Sequence, residues 1–181
     1  LPELRQTADI GTLDQFGLTM IEQPFAPRDL ISHKTLNETA ETPVCLDESV
    51  ETIDDLRTAI WLRAGQILNI KVSRMGGLTA AVTAHDVASA AGWPVWCGGM
   101  HEFGIGRAAN VAVSSLPGFA LPSDVSASAK YYERDVITPP VVADHGVVTV
   151  PTGAGLGHDV DVEIIEKNTT DTFTLRDGDT T

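Results

Sequence analysis

The chain has 181 residues and a formal net charge of −13. That charge argues against a nucleic-acid or anionic-membrane surface, either of which needs basic clusters. There is no apolar run of about 18 residues and no secretory signal. The length suits one sizeable domain but falls short of the roughly 250 residues of a complete eight-stranded β/α barrel.

Residues 1 to 16 read as a helix, with Leu1, Leu4, Ile10 and Leu13 as its apolar positions. The opening Leu-Pro-Glu-Leu reads as a cut rather than a native start. The run Leu18 to Pro24 then reads as a strand ending on Glu22, stopped by Pro24 and Pro27. A helix from about Asp29 to Ala40 follows, with Asp29 placed to cap its free amides. Pro43 to Ser49 reads as a second strand, ending on Asp47. Thr52 and Asp55 form a capping-box-like start for a helix carrying Ile53, Leu56 and Ile60, with Gly65 as its natural stop.

The third strand is the stretch Leu68 to Arg74. Alternation puts Leu68, Ile70 and Val72 on one face and Asn69, Lys71 and Ser73 on the other. An ammonium aimed inward at a strand end is costly without partners or a task. Gly76-Gly77 turns the chain into an alanine-rich helix from Leu78 to about Ala91, closed by Gly92. His85 within it reads as a surface or interhelix histidine rather than a ligand.

Pro94 to Cys97 is a fourth strand, running into a loop with glycines at 98, 99, 104 and 106 that lets the backbone approach a ligand closely. A helix starts near Ile105 and ends before Pro117, its first amides suited to a carboxylate or phosphate. A last strand runs to Asp124, followed by Ser126 and Ser128. Cys45 and Cys97, each inside an apolar strand, read as buried free thiols that suit a reducing cytoplasm.

Beyond Thr138 the pattern changes. Pro139-Pro140 breaks the chain. Asp144-His145-Gly146 turns a hairpin between Val141-Val142 and Val147 to Val150. Gly153 to Gly157 is glycine-rich without the strand–turn–helix setting of a dinucleotide fingerprint. Val160, Val162 and Ile164 alternate in the manner of a strand. The expected organisation is a partial β/α barrel over 1–137, a C-terminal segment over 138–167 and a disordered tail over 168–181.

Spacing ties the strand ends together. Glu22 to Asp47 spans 25 positions, Asp47 to Lys71 24, Lys71 to Gly98 27 and Gly98 to Asp124 26. A strand, a helix and two loops occupy about that length. Parallel strands with functional groups at their C-terminal ends describe a β/α barrel, here of about five units and so incomplete. Charges at strand ends can be solvated rims, but two acids and a lysine in register favour a site. Two carboxylates on neighbouring strands suit a hard divalent cation, which prefers oxygen ligands. A lysine on the next strand suits general acid/base work beside it, as in proton abstraction next to a carboxylate.

Ile21-Glu22-Gln23-Pro24, Cys45-Leu46-Asp47-Glu48-Ser49, Asn69 to Gly77 and Val95 to Met100 resemble the enolase superfamily, muconate-lactonizing subgroup. Trp96 to Met100, then Glu102 and Gly104 to Arg107, resemble its o-succinylbenzoate synthase / N-acylamino acid racemase family. The resemblance runs from about Ile21 to Asp161. It implies the C-terminal part of an enolase-type (β/α)7β TIM-like barrel, with a C-terminal segment returning to a capping domain. It implies Mg²⁺, with Mn²⁺ or Co²⁺ as substitutes, held by Glu22 and Asp47, and Lys71 as acid/base. Glu48 and Asn69 would orient a ligand or the lysine. Gly98, Gly99, Met100, Phe103, Ile105 and Asp124 would shape the pocket of a small carboxylate substrate. Phe103 departs from the family, where a small residue is usual.

In that family a third metal-binding Asp and an opposing acid/base lysine lie on earlier strands, before the start of this chain. The expectation is therefore a homo-oligomeric, cytoplasmic racemase or dehydratase at full length, and inactivity of these 181 residues alone. Other readings are a dipeptide epimerase, a muconate cycloisomerase, or an inactive barrel fragment serving as an interaction module.

Overall fold

The structure is a computed structural model, and it describes residues 9–174. Four parallel strands form its sheet: β1 (Ile21–Glu22), β2 (Val44–Leu46), β3 (Ile67–Ile70) and β4 (Val95–Cys97), in that spatial order. The helices that return the chain are α1 (Leu30–Thr39), α2 (Ile53–Leu62) and α3 (Leu78–Ala90), with α4 (Gly104–Ser114) after β4. Neighbours in sequence are neighbours in the sheet, as in a singly wound barrel wall.

Alternation sorts the strand residues into two layers. Val44, Leu46, Leu68, Ile70 and Val95 pack outward against Leu36 of α1, Leu56 and Ala59 of α2, and Ala81, Ala84 and Ala88 of α3. Small alanines along α3 let it lie close on the sheet. Cys45, Ile67 and Trp96 face the other way and meet Met20 and Leu121. The register Cys45↔Ile67 and Asn69↔Trp96 carries this inner layer toward the C-terminal mouth. A buried Leu such as Leu56 or Leu68, wholly removed from water, contributes about 1.5–3 kcal/mol.

Local signals explain most helix boundaries. The Asp29 side chain accepts from the Ser32 amide at the start of α1. The capping box at Thr52 and Asp55 is complete, each side chain accepting from the other's main chain. Gly76, Gly77 and Gly92 all have positive φ, flanking α3. α2 ends earlier than expected, with Arg63 in the left-handed region at φ 57°. Gly65 serves packing instead: a Cβ there would lie 3.1 Å from the Val44 carbonyl oxygen and 3.0 Å from Leu46 Cγ.

Several expectations need correction. Residues 1–8 of the first expected helix lie outside the described residues; Asp9 to Gly11 are helical and Thr12–Phe16 is a 3-10 turn. The third strand stops at Ile70, and Val72 to Gly76 turn. The expected fifth strand is reduced to a single bridge, Val95↔Phe119. Pro122 has no amide to offer a ladder, and the Ser123 hydroxyl, rather than a main-chain amide, donates to the Cys97 carbonyl. Four strands and one bridge thus stand where five units were expected.

The C-terminal segment forms two short antiparallel pairs. Strands β5 (Ile137–Thr138) and β8 (Asp159–Val160) pair, as do β6 (Ala143–Asp144) and β7 (Val147–Val148). His145 and Gly146 join β6 to β7 with φ of 48° and 80°, the positive values a two-residue hairpin loop favours. Val162 and Ile164 are not strand residues; they lie on helix α5 (Val162–Asn168), capped by Asp161. Val136, Ile137 and Val141 pack on Val111 of α4 in a second small core. Residues 175–181 of the expected tail lie outside the described residues.

Candidate active site

The strand ends converge as alternation requires. Ile67, Asn69 and Lys71 follow one another along the inner face, while Ile70 and Val72 join the outer core. Ser73 does not continue the inner row, because the strand has already ended; its hydroxyl meets the Met100 sulfur at 3.0 Å. Lys71 Nζ donates to Asp47 Oδ2 at 2.8 Å, and the Arg74 guanidinium donates to Asp47 Oδ1. Asp47 is buried, so this double cationic contact offsets its desolvation. Asn69 Nδ2 donates to Glu22 Oε1 at 2.7 Å.

Glu22 is exposed as a residue, with one carboxylate oxygen held by the buried Asn69 amide. Partial burial raises its carboxyl above the ordinary 4.5. The Asn69 amide opposes that rise, and the charge of Asp47 adds to it. Lys71 and Asp124 act on the same carboxyl with opposite signs, so the groups share one electrostatic neighbourhood.

Gly98 makes this arrangement sterically possible. A Cβ there would stand 2.4 Å from Asn69 Oδ1 and 2.6 Å from Lys71 Cε. The glycine faces the lysine across adjacent strands, so its absent side chain is the space that Lys71 and Asn69 occupy. Gly99 likewise abuts Asp124, whose carboxylate accepts from the Gly99 amide.

The remaining expected residues separate. Glu48 is exposed and makes no side-chain hydrogen bond among the described residues. The residue that orients Asp47 is Arg74, which also donates to the carbonyls of Asn69 (2.8 Å) and Val50 (3.1 Å). Met100 is exposed beside Ser73. Phe103 and Ile105 line a different space, a cavity of about 640 Å³ between α4 and α5, bounded also by Tyr132, Arg134 and Ile164. Phe103 stacks on Tyr132 with ring centroids 4.7 Å apart. His85 is buried between α3 and the turn after α4, where Nε2 meets the Pro117 carbonyl at 2.6 Å.

Two residues of the loop architecture escape a reading by strand ends. Arg107 is wholly buried and donates to the carbonyl oxygens of Glu102 and Ser126, with no carboxylate partner among the described residues. Asp135 accepts from the Gly104 amide at 2.7 Å, so the first amide of α4 is already occupied by the chain's own carboxylate. The contacts of Arg107 with Ser126 and of Asp135 with Gly104 span 19 and 31 positions, and no local pattern announces them.

Among the described residues, no group of three or more His, Cys, Asp or Glu side chains is gathered as a metal cluster. The pair Glu22 and Asp47 offers oxygen donors only. The buried Asn69 Oδ1 beside them has no hydrogen-bond partner. That donor chemistry fits a hard divalent cation and not a thiophilic one.

Residues 6–164 match the Enolase C-terminal domain-like family. Over 160 residues the chain is 50% identical to an o-succinylbenzoate synthase of Geobacillus kaustophilus, covering 88% of this chain and 43% of that protein. It is 48% identical over 167 residues to an N-succinylamino acid racemase of Amycolatopsis sp, covering 92% of this chain and 45% of that protein. The crystal structure of an enolase superfamily member from Listeria innocua superposes with a TM-score of 0.87 at 34% identity, over 92% of this chain and 45% of that one. The chain therefore spans less than half the length of the curated relatives it matches.

Proposed function

This chain belongs to the enolase C-terminal domain-like family, and on that premise we propose that it carries one side of a site for proton transfer next to a substrate carboxylate. The relatives' names point to o-succinylbenzoate synthesis, racemisation of N-succinylamino acids, or both. The observation that carries the reading is the contact of Lys71 Nζ with Asp47 Oδ2 at 2.8 Å, at the mouth where Glu22 also ends.

In this reading Glu22 and Asp47 hold a divalent cation, Mg²⁺ with Mn²⁺ or Co²⁺ as substitutes. When bound, it neutralises negative charge that develops on the substrate carboxylate as the neighbouring proton leaves. Lys71 takes up or delivers the α-proton at Nζ on its own face of the substrate. Asp47 and Arg74 hold the lysine in place, Asn69 turns Glu22, and Gly98 leaves the lysine room. Gly99, Met100 and Asp124 shape the near wall. Phe103 and Ile105 meet a distal part of the substrate or the segment that covers it. Residues 1–137 form the barrel portion and 138–167 return toward a capping domain. Two reduced, buried thiols suit a cytoplasmic protein, and exposed Trp61 and Ile31 on the outer helices suit a homo-oligomer.

The test is solvent exchange of the substrate α-proton by the active enzyme and by Lys71→Ala. Exchange should fall by about 10²–10⁴-fold for one enantiomer more than the other, with Mg²⁺ affinity nearly unchanged. Normal exchange of both enantiomers by Lys71→Ala would leave the lysine a structural residue and defeat the reading.

A further inference from the structure

The main chain of Asp47 is held by a residue that the proton transfer itself does not use. Gln23 directly follows Glu22 and has φ 41°, in the left-handed region that is strained for a residue with a side chain. The bend brings its carboxamide to the loop after β2. Oε1 accepts from the amides of Asp47 at 2.9 Å and Ser49 at 3.2 Å. Nε2 donates to Ser49 Oγ at 2.8 Å and to the Phe25 carbonyl at 3.1 Å. Two main-chain N–H groups at one end and a carbonyl at the other fix which end is oxygen.

Nε2 also lies 3.2 Å from Nε2 of His33, a wholly buried residue. Nδ1 of His33 donates to the Asp29 carbonyl at 2.8 Å, which leaves Nε2 of the neutral ring as an acceptor. Phe25 meets the ring edge-on, with centroids 5.2 Å apart. Burial holds the imidazole below its ordinary value, and Asp29 is the charged group that bears on it among the described residues.

We propose that Gln23 is a positioning residue for Asp47: its carboxamide, kept in one orientation by the Phe25 carbonyl and Ser49 hydroxyl at its nitrogen end with the His33 ring packed beside them, sets the main chain from which Asp47 meets Lys71, Arg74 and the cation. The proposal rests on the reading above that Asp47 holds that cation. Because Gln23 directly follows Glu22, the chain at the end of β1 both supplies one carboxylate and fixes the direction of the other. Gln23→Leu removes the acceptor and both donors. Gln23→Glu keeps an acceptor for the two amides, but sets its second oxygen against the Phe25 carbonyl and His33 Nε2. Only a ring protonated at both nitrogens can donate to that oxygen and keep its bond to the Asp29 carbonyl.

The experiment compares wild type, Gln23→Leu, Gln23→Glu and Asp161→Ala, the last a lost helix cap in the C-terminal segment that makes no contact with Gln23 or Asp47. In metal-free Gln23→Leu, the Asp47 and Ser49 amides should exchange with solvent at least about ten-fold faster than in wild type. Its Mn²⁺ affinity, followed by paramagnetic broadening, should fall by about 10–100-fold. In Gln23→Glu the Asp47 amide should stay protected, while His33 titrates at higher pH in nitrogen NMR spectra. Asp161→Ala should change none of these readouts. Protection and Mn²⁺ affinity in Gln23→Leu equal to those of Asp161→Ala would overturn the proposal, as would unchanged His33 titration in Gln23→Glu. If Gln23→Leu does not fold, the His33 titration decides. A wild type that shows no broadening at Glu22 and Asp47 would defeat the cation reading and this role with it. Binding in wild type that persists in Gln23→Leu would defeat the positioning role alone.

Discussion

Lys71 and Arg74 grip opposite oxygens of Asp47, so the buried carboxylate that directly follows β2 has a cation on each side. The two grips differ in kind. Lysine brings a mobile point charge, whereas arginine also spans two main-chain carbonyls and locks the turn after β3 to the loop after β2.

Arg74→Met should therefore destabilise the fold by about 3 kcal/mol, because it removes one partner of a buried ion. Arg74→Lys keeps charge but loses at least one carbonyl contact, and should cost about 1–2 kcal/mol. Urea unfolding measures both. A lysine variant as stable as wild type would show that the carbonyl contacts contribute nothing.

Gly98→Ala should disturb the site more than the fold. The new methyl would overlap Asn69 Oδ1 and Lys71 Cε, and the lysine chain is the more flexible of the two. We expect kcat of the active enzyme to fall by about 10²-fold through misplacement of Lys71, with a much smaller loss of thermal stability. Wild-type kcat would mean that Lys71 and Asn69 have slack that the geometry does not suggest.

Glu22 gives stability a pH dependence of defined sign. Its folded-state carboxyl is raised above the ordinary 4.5, chiefly by burial. The native state therefore binds this proton more tightly than the unfolded chain does. The associated stability is fullest below the unfolded value and is lost as pH rises through the folded one. In chelator-treated protein, Glu22→Gln should raise Tm at neutral pH by no more than about 2 °C, a small change because the side chain is largely solvated. The gain should vanish below about pH 4. A gain of equal size at all pH values would place its origin outside the carboxyl charge.

The thiols should be silent in the native protein. Burial pushes both Cys45 and Cys97 up to about 12, and both are free. At pH 8 a disulfide reagent should label them roughly 10³-fold more slowly than an unfolded thiol, since only thiolate attacks. Fast labelling of either residue without unfolding would contradict its burial.

How far the sequence carries this structure depends on the reach of each signal. Glu22, Asp47 and Lys71 were legible because strand alternation and the recurring helix length are local rules, and each residue closes an apolar run. The capping box at Thr52 and the hairpin turn at His145-Gly146 were legible for the same reason. Arg74 was not, because alternation ends at Ile70 and the following turn decides where position 74 points. Asp124 was read as a strand end, but Pro122 and the Ser123 hydroxyl replace the ladder there. Val162 and Ile164 mimic a strand only until Asp161 is seen to cap a helix. Gln23, next to a residue chosen for its charge, meets Asp47 and Ser49 through contacts more than twenty positions away, which no local pattern announces.

The buried guanidinium of Arg107 has a practical consequence for anyone redesigning this protein. It ties the carbonyl of Glu102, ahead of α4, to the carbonyl of Ser126, well beyond it. The glycine-rich loop and the segment around Asp124 are thus two ends of one mechanical unit, not two independent inserts. Transplanting the 98–106 loop from a relative should fail when moved alone, and should succeed when the 123–128 segment travels with it.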